Sequence, residues 1–121
     1  MSVSFEVTPQ GHLIPARSKM LTRQYLIKKA KENRKLLDQA ADDNGLELLA
    51  ADGYDAAIVG VVNGIGLPAP LVVYDRALVL QVMQVVDDMT EEDAHEHFSY
   101  NVEGSYVGES TPVFLTQLED L

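Results

Sequence analysis

The acidic segment 91–97 contains residue types that bind metal ions or transfer protons. It reads EEDAHEH, with Glu91 and His95 four residues apart, as are Asp93 and His97. Residues at that spacing share one face of a helix, so each pair could supply two metal ligands. His95 and His97 cannot join one site, because they point about 200° apart around a helix. We therefore interpret the segment as a solvated helix face and predict no metal site.

Other catalytic signatures are missing from the sequence. NGIGLP at 63–68 lacks the GxGxxG or GxxxxGK spacing of phosphate-binding loops, and we interpret its glycines as a helix stop. GxSxG, HExxH and EF-hand spacings do not occur, and the chain has no Cys to serve as a nucleophile. The sequence accordingly predicts no catalytic residue and no cofactor.

The segment SYNVEGSYVGESTP at 99–112 is the strongest candidate for a binding loop. Gly104 and Gly108 bracket Tyr106. In one interpretation the glycines permit a bulge or a close backbone approach while the tyrosines pack with their hydroxyls at the surface. In the other this is a recognition loop, with Tyr106 as anchor, Asn101 as amide and Glu109 as charge.

A small-molecule-binding protein or minor enzyme is an alternative built on the same loop. Its site would lie where residues 100–111 meet Asp75 and the turn at 54–55. Such a site should form a concave pocket in which burial raises carboxylate pKa values. The candidate binding residues are Tyr54, Asp55, Asp75, Asn101, Tyr106, Glu109 and Thr111.

The charge distribution divides the chain into two unequal parts. The net charge is −10, yet residues 1–35 contain eight basic and two acidic residues, whereas residues 36–121 contain 17 acidic residues and Arg76 as the one base. An acidic body of this size repels nucleic acid, which argues against free DNA or RNA as a partner. Basic protein surfaces are the partners that this charge favours.

The basic residues gather on a predicted helix over 22–43. Its apolar stripe consists of Leu26, Ala30, Asn33, Leu37, Ala40 and Ala41. Lys28, Lys31 and Lys35 lie on the opposite side and form a basic patch. Three interpretations stay open: a solvated face, an internal counterion for the acidic body, or an outward patch for an acidic partner. Thr22 is the predicted N-cap and Asn44-Gly45 the predicted stop.

Periodicity predicts the remaining elements. The alternation in VSFEVT predicts a strand over 3–8, and 46–55 is interpreted as a short helical turn. The segment 56–63 is ambiguous between strand and helix, and its glycine spacing favours a tightly packed helix. Further predictions are a strand at 70–75, helices at 76–88 and 91–100 that Asp75 and Thr90 cap, and a strand at 113–116.

These elements predict one α+β domain, with three to four helices packed on a short two- or three-stranded sheet. Residues 1–19 would form a strand and irregular arm, 20–44 the basic amphipathic helix, and 45–121 the acidic α+β body. No apolar run has the length of a membrane span, and the first residues do not resemble a secretory signal. With no Cys, the chain is expected in a reducing cytoplasm.

Several segments together resemble a family of small proteins encoded by bacteriophages and prophages. The resemblance covers about residues 52–115 and rests on DGYDAAIVGVV, PLVVYD, MTEEDA and SYNVEGSYVGESTP. The matching positions are Asp52, Gly53, Tyr54, Asp55, Tyr74, Asp75, Asn101, Gly104, Tyr106, Gly108, Glu109, Thr111 and Pro112. The resemblance implies expression in the cytoplasm of a bacterial host cell, and it implies no particular activity.

The leading hypothesis is a non-enzymatic accessory protein of phage type. Its acidic surface would bind a basic surface on a host or phage protein, in the manner of an inhibitor or a nucleic-acid mimic. Self-assembly into a homodimer is a third hypothesis, either through the edge of the N-terminal strand or through the basic helix of one subunit on the acidic face of another.

Overall fold

The structure, a computed structural model, describes residues 20–121. Its elements are α1 (Arg23–Asn44), β1 (Ile58–Val62), β2 (Leu71–Asp75), α2 (Arg76–Val85), α3 (Glu91–His97), a π-helical turn (Phe98–Glu103) and β3 (Val113–Leu115). Three helices and a three-stranded mixed sheet confirm the predicted α+β class. The predicted strand over 3–8 lies outside the described residues. No helix in the described range is long and apolar enough to cross a bilayer.

The sheet is small and its central strand is the buried one. The strand order is β1-β2-β3, with β1 and β2 antiparallel and β2 and β3 parallel. Val72 lies opposite Val61 on one side, and Tyr74 lies opposite Phe114 on the other. Four of the five residues of β2 are buried, which explains its continuous apolar run.

The helix favoured over 56–63 is wrong, because residues 58–62 form strand β1. A short 3-10 turn, Asp55–Ala57, precedes the strand, and the Asp55 side chain does not cap it. The β-branched residues of β1 suit a strand, and β2 supplies the hydrogen-bonding partner. The local pattern was ambiguous, and a strand distant in sequence decided between the two conformations.

The helical turn predicted over 46–55 is also wrong. Residues 46–50 have no regular structure, and the chain then turns at Gly53, whose φ is 93°. Tertiary contacts hold the segment instead. The Ala51 amide donates to the Tyr74 hydroxyl at 2.6 Å, and Leu48 and Ala50 pack against the core.

The predicted N-caps of all three helices and the predicted stop of α1 are confirmed, whereas α2 ends at Val85 and α3 at His97, before the predicted residues 88 and 100. The side chains of Thr22, Asp75 and Thr90 accept hydrogen bonds from amides in the first turns of α1, α2 and α3. Gly45 ends α1 in the left-handed conformation, with φ of 62°. These signals lie within a few residues of each terminus, so the sequence contains all the information that they need.

Helix α1 packs on the rest of the fold through the predicted stripe. Leu37 belongs to the main core cluster, and Leu26 belongs to a smaller cluster with Ala56 and Val82. Between these two leucines, the side-chain amide of Asn33 donates to the Asp55 carbonyl at 2.9 Å. This hydrogen bond gives the buried amide of Asn33 a partner. The helix is therefore fixed along its length to the turn that precedes β1.

Candidate functional site

The glycine- and tyrosine-rich loop is held together by its own polar side chains. The Ser105 hydroxyl donates to the Asn101 carbonyl at 2.8 Å. The Thr111 hydroxyl donates to the Gly108 carbonyl at 2.6 Å and accepts from the Val107 amide at 3.0 Å. Gly108 has a φ of 113°, which L side chains rarely adopt. The loop hydroxyls therefore stabilise a closed backbone turn.

A pocket of about 270 Å³, here named the apolar pocket, lies beside this loop. One wall is formed by Leu49, Ala50, Ala51 and Tyr54. The opposite wall consists of Asn101, Val102, Ser105 and Val107, and the chain that enters β3 adds Thr111, Pro112 and Phe114. Since most of these side chains are apolar, the pocket suits an apolar group.

The pocket walls are joined to the aromatic core. The Phe114 ring meets the Phe98 ring edge-on at 5.1 Å and the Tyr74 ring at 5.8 Å. The Tyr74 hydroxyl in turn accepts the hydrogen bond from Ala51 on the opposite wall. Both walls are thus anchored on β2 and β3, so the pocket is preformed.

Three of the predicted binding residues line the apolar pocket: Tyr54, Asn101 and Thr111. Burial raises the pKa of Tyr54 above its ordinary value, which already lies well above neutral pH. Tyr106 is 77% exposed at the loop surface and does not line the pocket. Glu109 lies on an adjoining concavity. The loop and the turn at residue 54 therefore meet, as the alternative hypothesis required.

The two predicted aspartates lie elsewhere. Asp75 is 1% exposed, and its Oδ1 caps α2 while its Oδ2 accepts from Gln117 Nε2 at 3.4 Å. Asp55 faces α1, where its Oδ2 is 3.6 Å from Arg34 Nη1. Neither carboxylate lines the apolar pocket, so acid–base chemistry by these residues has no place there.

The carboxylate of Asp55 has a pKa that differs from its ordinary value. Burial raises its pKa, and the nearby Arg34 guanidinium opposes part of that rise. Its Oδ1 is buried without a hydrogen-bond partner in the described range. Arg34 also bonds Asp38 at 3.1 Å, and this bond is the main cause of the raised pKa of Arg34. The ion pair between Arg34 and Asp55 joins α1 to the turn before β1.

An acidic surface surrounds α3 and the turn before it, and it adjoins the apolar pocket at Asp93 and Glu96. Its six residues are all exposed and form no ion pair with another described residue: Asp87, Asp88, Glu91, Glu92, Asp93 and Glu96. A concavity of about 390 Å³ on this surface is lined by Asp93 and Glu96, and also by Asn101. Because Asn101 lines the apolar pocket as well, the two concavities are adjacent.

A second pair of carboxylates also adjoins the apolar pocket. Glu47 and Glu109 line a concavity of about 300 Å³ that shares Leu49 and Val107 with the apolar pocket. Both are exposed and form no ion pair within residues 20–121. The apolar pocket therefore adjoins two groups of carboxylates.

The histidines of α3 line different concavities. His97 Nδ1 lies 3.2 Å from Asn101 Nδ2 beside the acidic surface, whereas His95 lies near Arg76 and Asp120. The two histidines lie on different sides of α3, as expected for residues that are two apart on a helix. In the part of the chain that the structure describes, no three His, Asp or Glu side chains are grouped closely enough to hold a metal ion.

The lysines of the basic patch face solvent. Lys28, Lys31 and Lys35 are exposed, and none of them forms an ion pair with a residue in the described range. Arg34, on the same helix, is the residue that pairs with acids of the fold. Of the three interpretations, the described contacts favour a solvated or outward-facing patch for the lysines.

Sequence reasoning missed the wall of the apolar pocket formed by 49–51, and it missed Phe114. The signal available was a run of apolar residues, LELLAA, that the structure leaves outside any helix or strand. A run of this kind has to pack against something, and here it packs beside the loop.

Comparison of the chain with protein-family models, with curated proteins and with solved structures found no match.

Proposed function

We propose that this chain is a non-enzymatic accessory protein of phage type that binds a host or phage protein through its acidic surface. The observation that carries the proposal is the row of six exposed carboxylates over 87–96. Among the described residues, none of the six is neutralised by a cation of its own fold. Unpaired surface charge of one sign attracts a partner of the opposite sign and steers its approach.

The surroundings of the acidic surface resemble a protein interface. Tyr100 and Tyr106 are 78% and 77% exposed, and amphipathic aromatic side chains are enriched at binding surfaces. The apolar pocket lies next to them. Charged residues around an apolar centre form the arrangement that protein interfaces commonly use.

A binding role agrees better with the pocket chemistry than an enzymatic role does. The hydroxyls of Ser105 and Thr111 are engaged by the loop backbone, so neither is paired with a base. The resemblance of residues 52–115 to phage proteins supports the phage context. An acidic surface also disfavours free nucleic acid as the ligand.

Capture from a bacterial lysate tests the proposal when it includes matched variants. The tagged chain should retain a partner at low salt and release it at high salt, because surface attraction is screened. Glu92→Gln with Glu96→Gln should weaken retention of that partner. The control, Asp42→Asn with Asp43→Asn, removes the same charge from the end of α1 and should retain it. The proposal would be refuted if the two double variants lost the same amount of retained partner, or if the chain retained no partner in a salt-sensitive way.

A further inference from the structure

We propose that the apolar pocket binds one bulky apolar side chain, presented by a basic segment of the partner protein. The inference rests on the proposed function for its macromolecular partner, and it adds the site and the chemistry of the bound segment. In this complex the lysines or arginines of the segment contact the acidic surface, and its apolar side chain enters the pocket.

The size and lining of the pocket fit a side chain better than a cofactor. Its volume of about 270 Å³ is close to the lower end of the roughly 300–1,000 Å³ typical of small-molecule sites, and it has room for one bulky side chain. Leu49, Val102 and Phe114 contribute apolar surface, and Val107 at the rim is 62% exposed. Covering these residues removes apolar surface from water, which is the main favourable contribution to association.

An apolar occupant leaves the polar side-chain groups on the loop wall of the pocket with their present hydrogen-bond partners. The hydroxyls of Ser105 and Thr111 already bond backbone groups of the loop, and the Asn101 amide lies within hydrogen-bond distance of His97. Burial of a polar group is costly only when the group loses its partners. The two hydroxyls and Nδ2 of Asn101 therefore need no new partner from the ligand.

The carboxylates that adjoin the pocket define the charge of the bound segment. Asp93 and Glu96 line the concavity that adjoins the pocket at Asn101. Glu47 and Glu109 line a second concavity, which adjoins the pocket at Leu49 and Val107. Because neither pair is neutralised by another described residue, a segment with cations on both sides of an apolar residue complements the whole surface.

Short synthetic peptides test this assignment by NMR titration of the isotope-labelled chain. The first peptide has a central leucine flanked on both sides by lysines and serines, and the second has serine at the centre. We expect the leucine peptide to bind about tenfold more tightly, because burial of a leucine side chain is worth that factor or more. Amide signals of 49–54 and 101–107 should shift with the leucine peptide.

Matched protein variants locate the contact. Val107→Ser reduces the apolar rim, and the advantage of the leucine peptide over the serine peptide should fall severalfold. Val59→Ser makes the same change on β1 at a residue that is 53% exposed and outside the pocket, so the advantage should persist.

The outcomes separate this inference from the proposed function. Equal, salt-sensitive binding of both peptides would refute the pocket assignment and leave the acidic surface as the binding site. Equal binding of a leucine peptide in which glutamates replace the lysines would refute the charge assignment. If N-acetyl-leucinamide binds as tightly as the peptide, or if the same signals shift with protein concentration alone, the occupant is a small molecule or a second copy and the inference is wrong.

Discussion

The hydroxyl of Tyr74 accepts a hydrogen bond from the backbone amide of Ala51 at 2.6 Å, across 23 residues of sequence. Tyr74 is fully buried in the central strand, and Ala51 lies on a segment without regular structure. This bond connects the core of the sheet to one wall of the apolar pocket. A single phenol oxygen thus links fold stability to pocket geometry.

Tyr74→Phe should destabilise the protein by about 1–3 kcal/mol, because it leaves the Ala51 amide without its acceptor in a partly buried place. The free energy of unfolding from urea denaturation measures the effect. Tyr106→Phe removes the same hydroxyl from an exposed side chain and should leave stability unchanged. Similar stability of the two variants would contradict the role assigned to this bond.

Phe114→Ala should cost about 2–4 kcal/mol, since it deletes a ring that contacts both Phe98 and Tyr74. It should also enlarge the apolar pocket, which the ring lines. Denaturant unfolding measures this decrease in the free energy of unfolding. Val113→Ala, the neighbouring and exposed position of β3, is the control and should change stability by less than about 0.5 kcal/mol.

The aspartate cap of α2 should matter more than the threonine cap of α3. Asp75→Ala removes a buried acceptor of two amides and also the partner of Gln117, so the loss should exceed about 2 kcal/mol. Thr90→Ala removes one exposed acceptor and should cost about 1 kcal/mol. The melting temperature should therefore be lower for Asp75→Ala than for Thr90→Ala. A lower melting temperature for Thr90→Ala would contradict the structure.

The Asp55 carboxylate should make stability depend on pH in a defined direction. Its pKa is raised in the folded chain, chiefly by burial, so the folded state binds the proton more tightly than the unfolded state does. As pH rises from about 4, the unfolded chain ionises first, and the contribution of this group to stability decreases until the folded carboxylate has also ionised.

Comparison with Asp55→Asn isolates this effect from the other carboxylates. The stability of the wild type minus that of the variant should be most favourable below about pH 4 and should decrease as pH rises through the raised folded pKa. Urea unfolding at a series of pH values gives the curve. Asp43→Asn, at an exposed residue, serves as the reference, and a difference that increases with pH would overturn the assignment.

The sequence was sufficient for features that depend on neighbouring residues. The N-caps Thr22, Asp75 and Thr90 and the left-handed Gly45 were predicted correctly, because each cap contacts amides or carbonyls within one helical turn. The buried stripe of α1 was predicted for the same reason, since its period is a property of the helix alone.

The failures concern features that distant partners decide. Residues 58–62 form a strand because β2 pairs with them, although their glycine spacing also suits a helix. Residues 46–50 remain irregular because Tyr74 and the core hold that segment. The sequence predicted that the loop meets the turn at residue 54, but the contributions of 49–51 and Phe114 to the apolar pocket depend on tertiary packing that no local motif contains.

Loss of the Thr111 hydroxyl should loosen the loop at 99–112 while leaving the core intact. Thr111→Val keeps the shape of the side chain but removes the acceptor for the Val107 amide and the donor to the Gly108 carbonyl. We expect a stability loss of about 1–2 kcal/mol. We also expect faster hydrogen exchange at the Val107 amide, because that amide would exchange from an open loop.

Thr116→Val, at an exposed position after β3, is the matched control and should change neither the stability nor the exchange rate. Since a loosened loop must be ordered again on binding, the leucine peptide should also bind more weakly to Thr111→Val than to the control. Unchanged exchange at Val107 would show that the hydroxyl does not hold the loop closed.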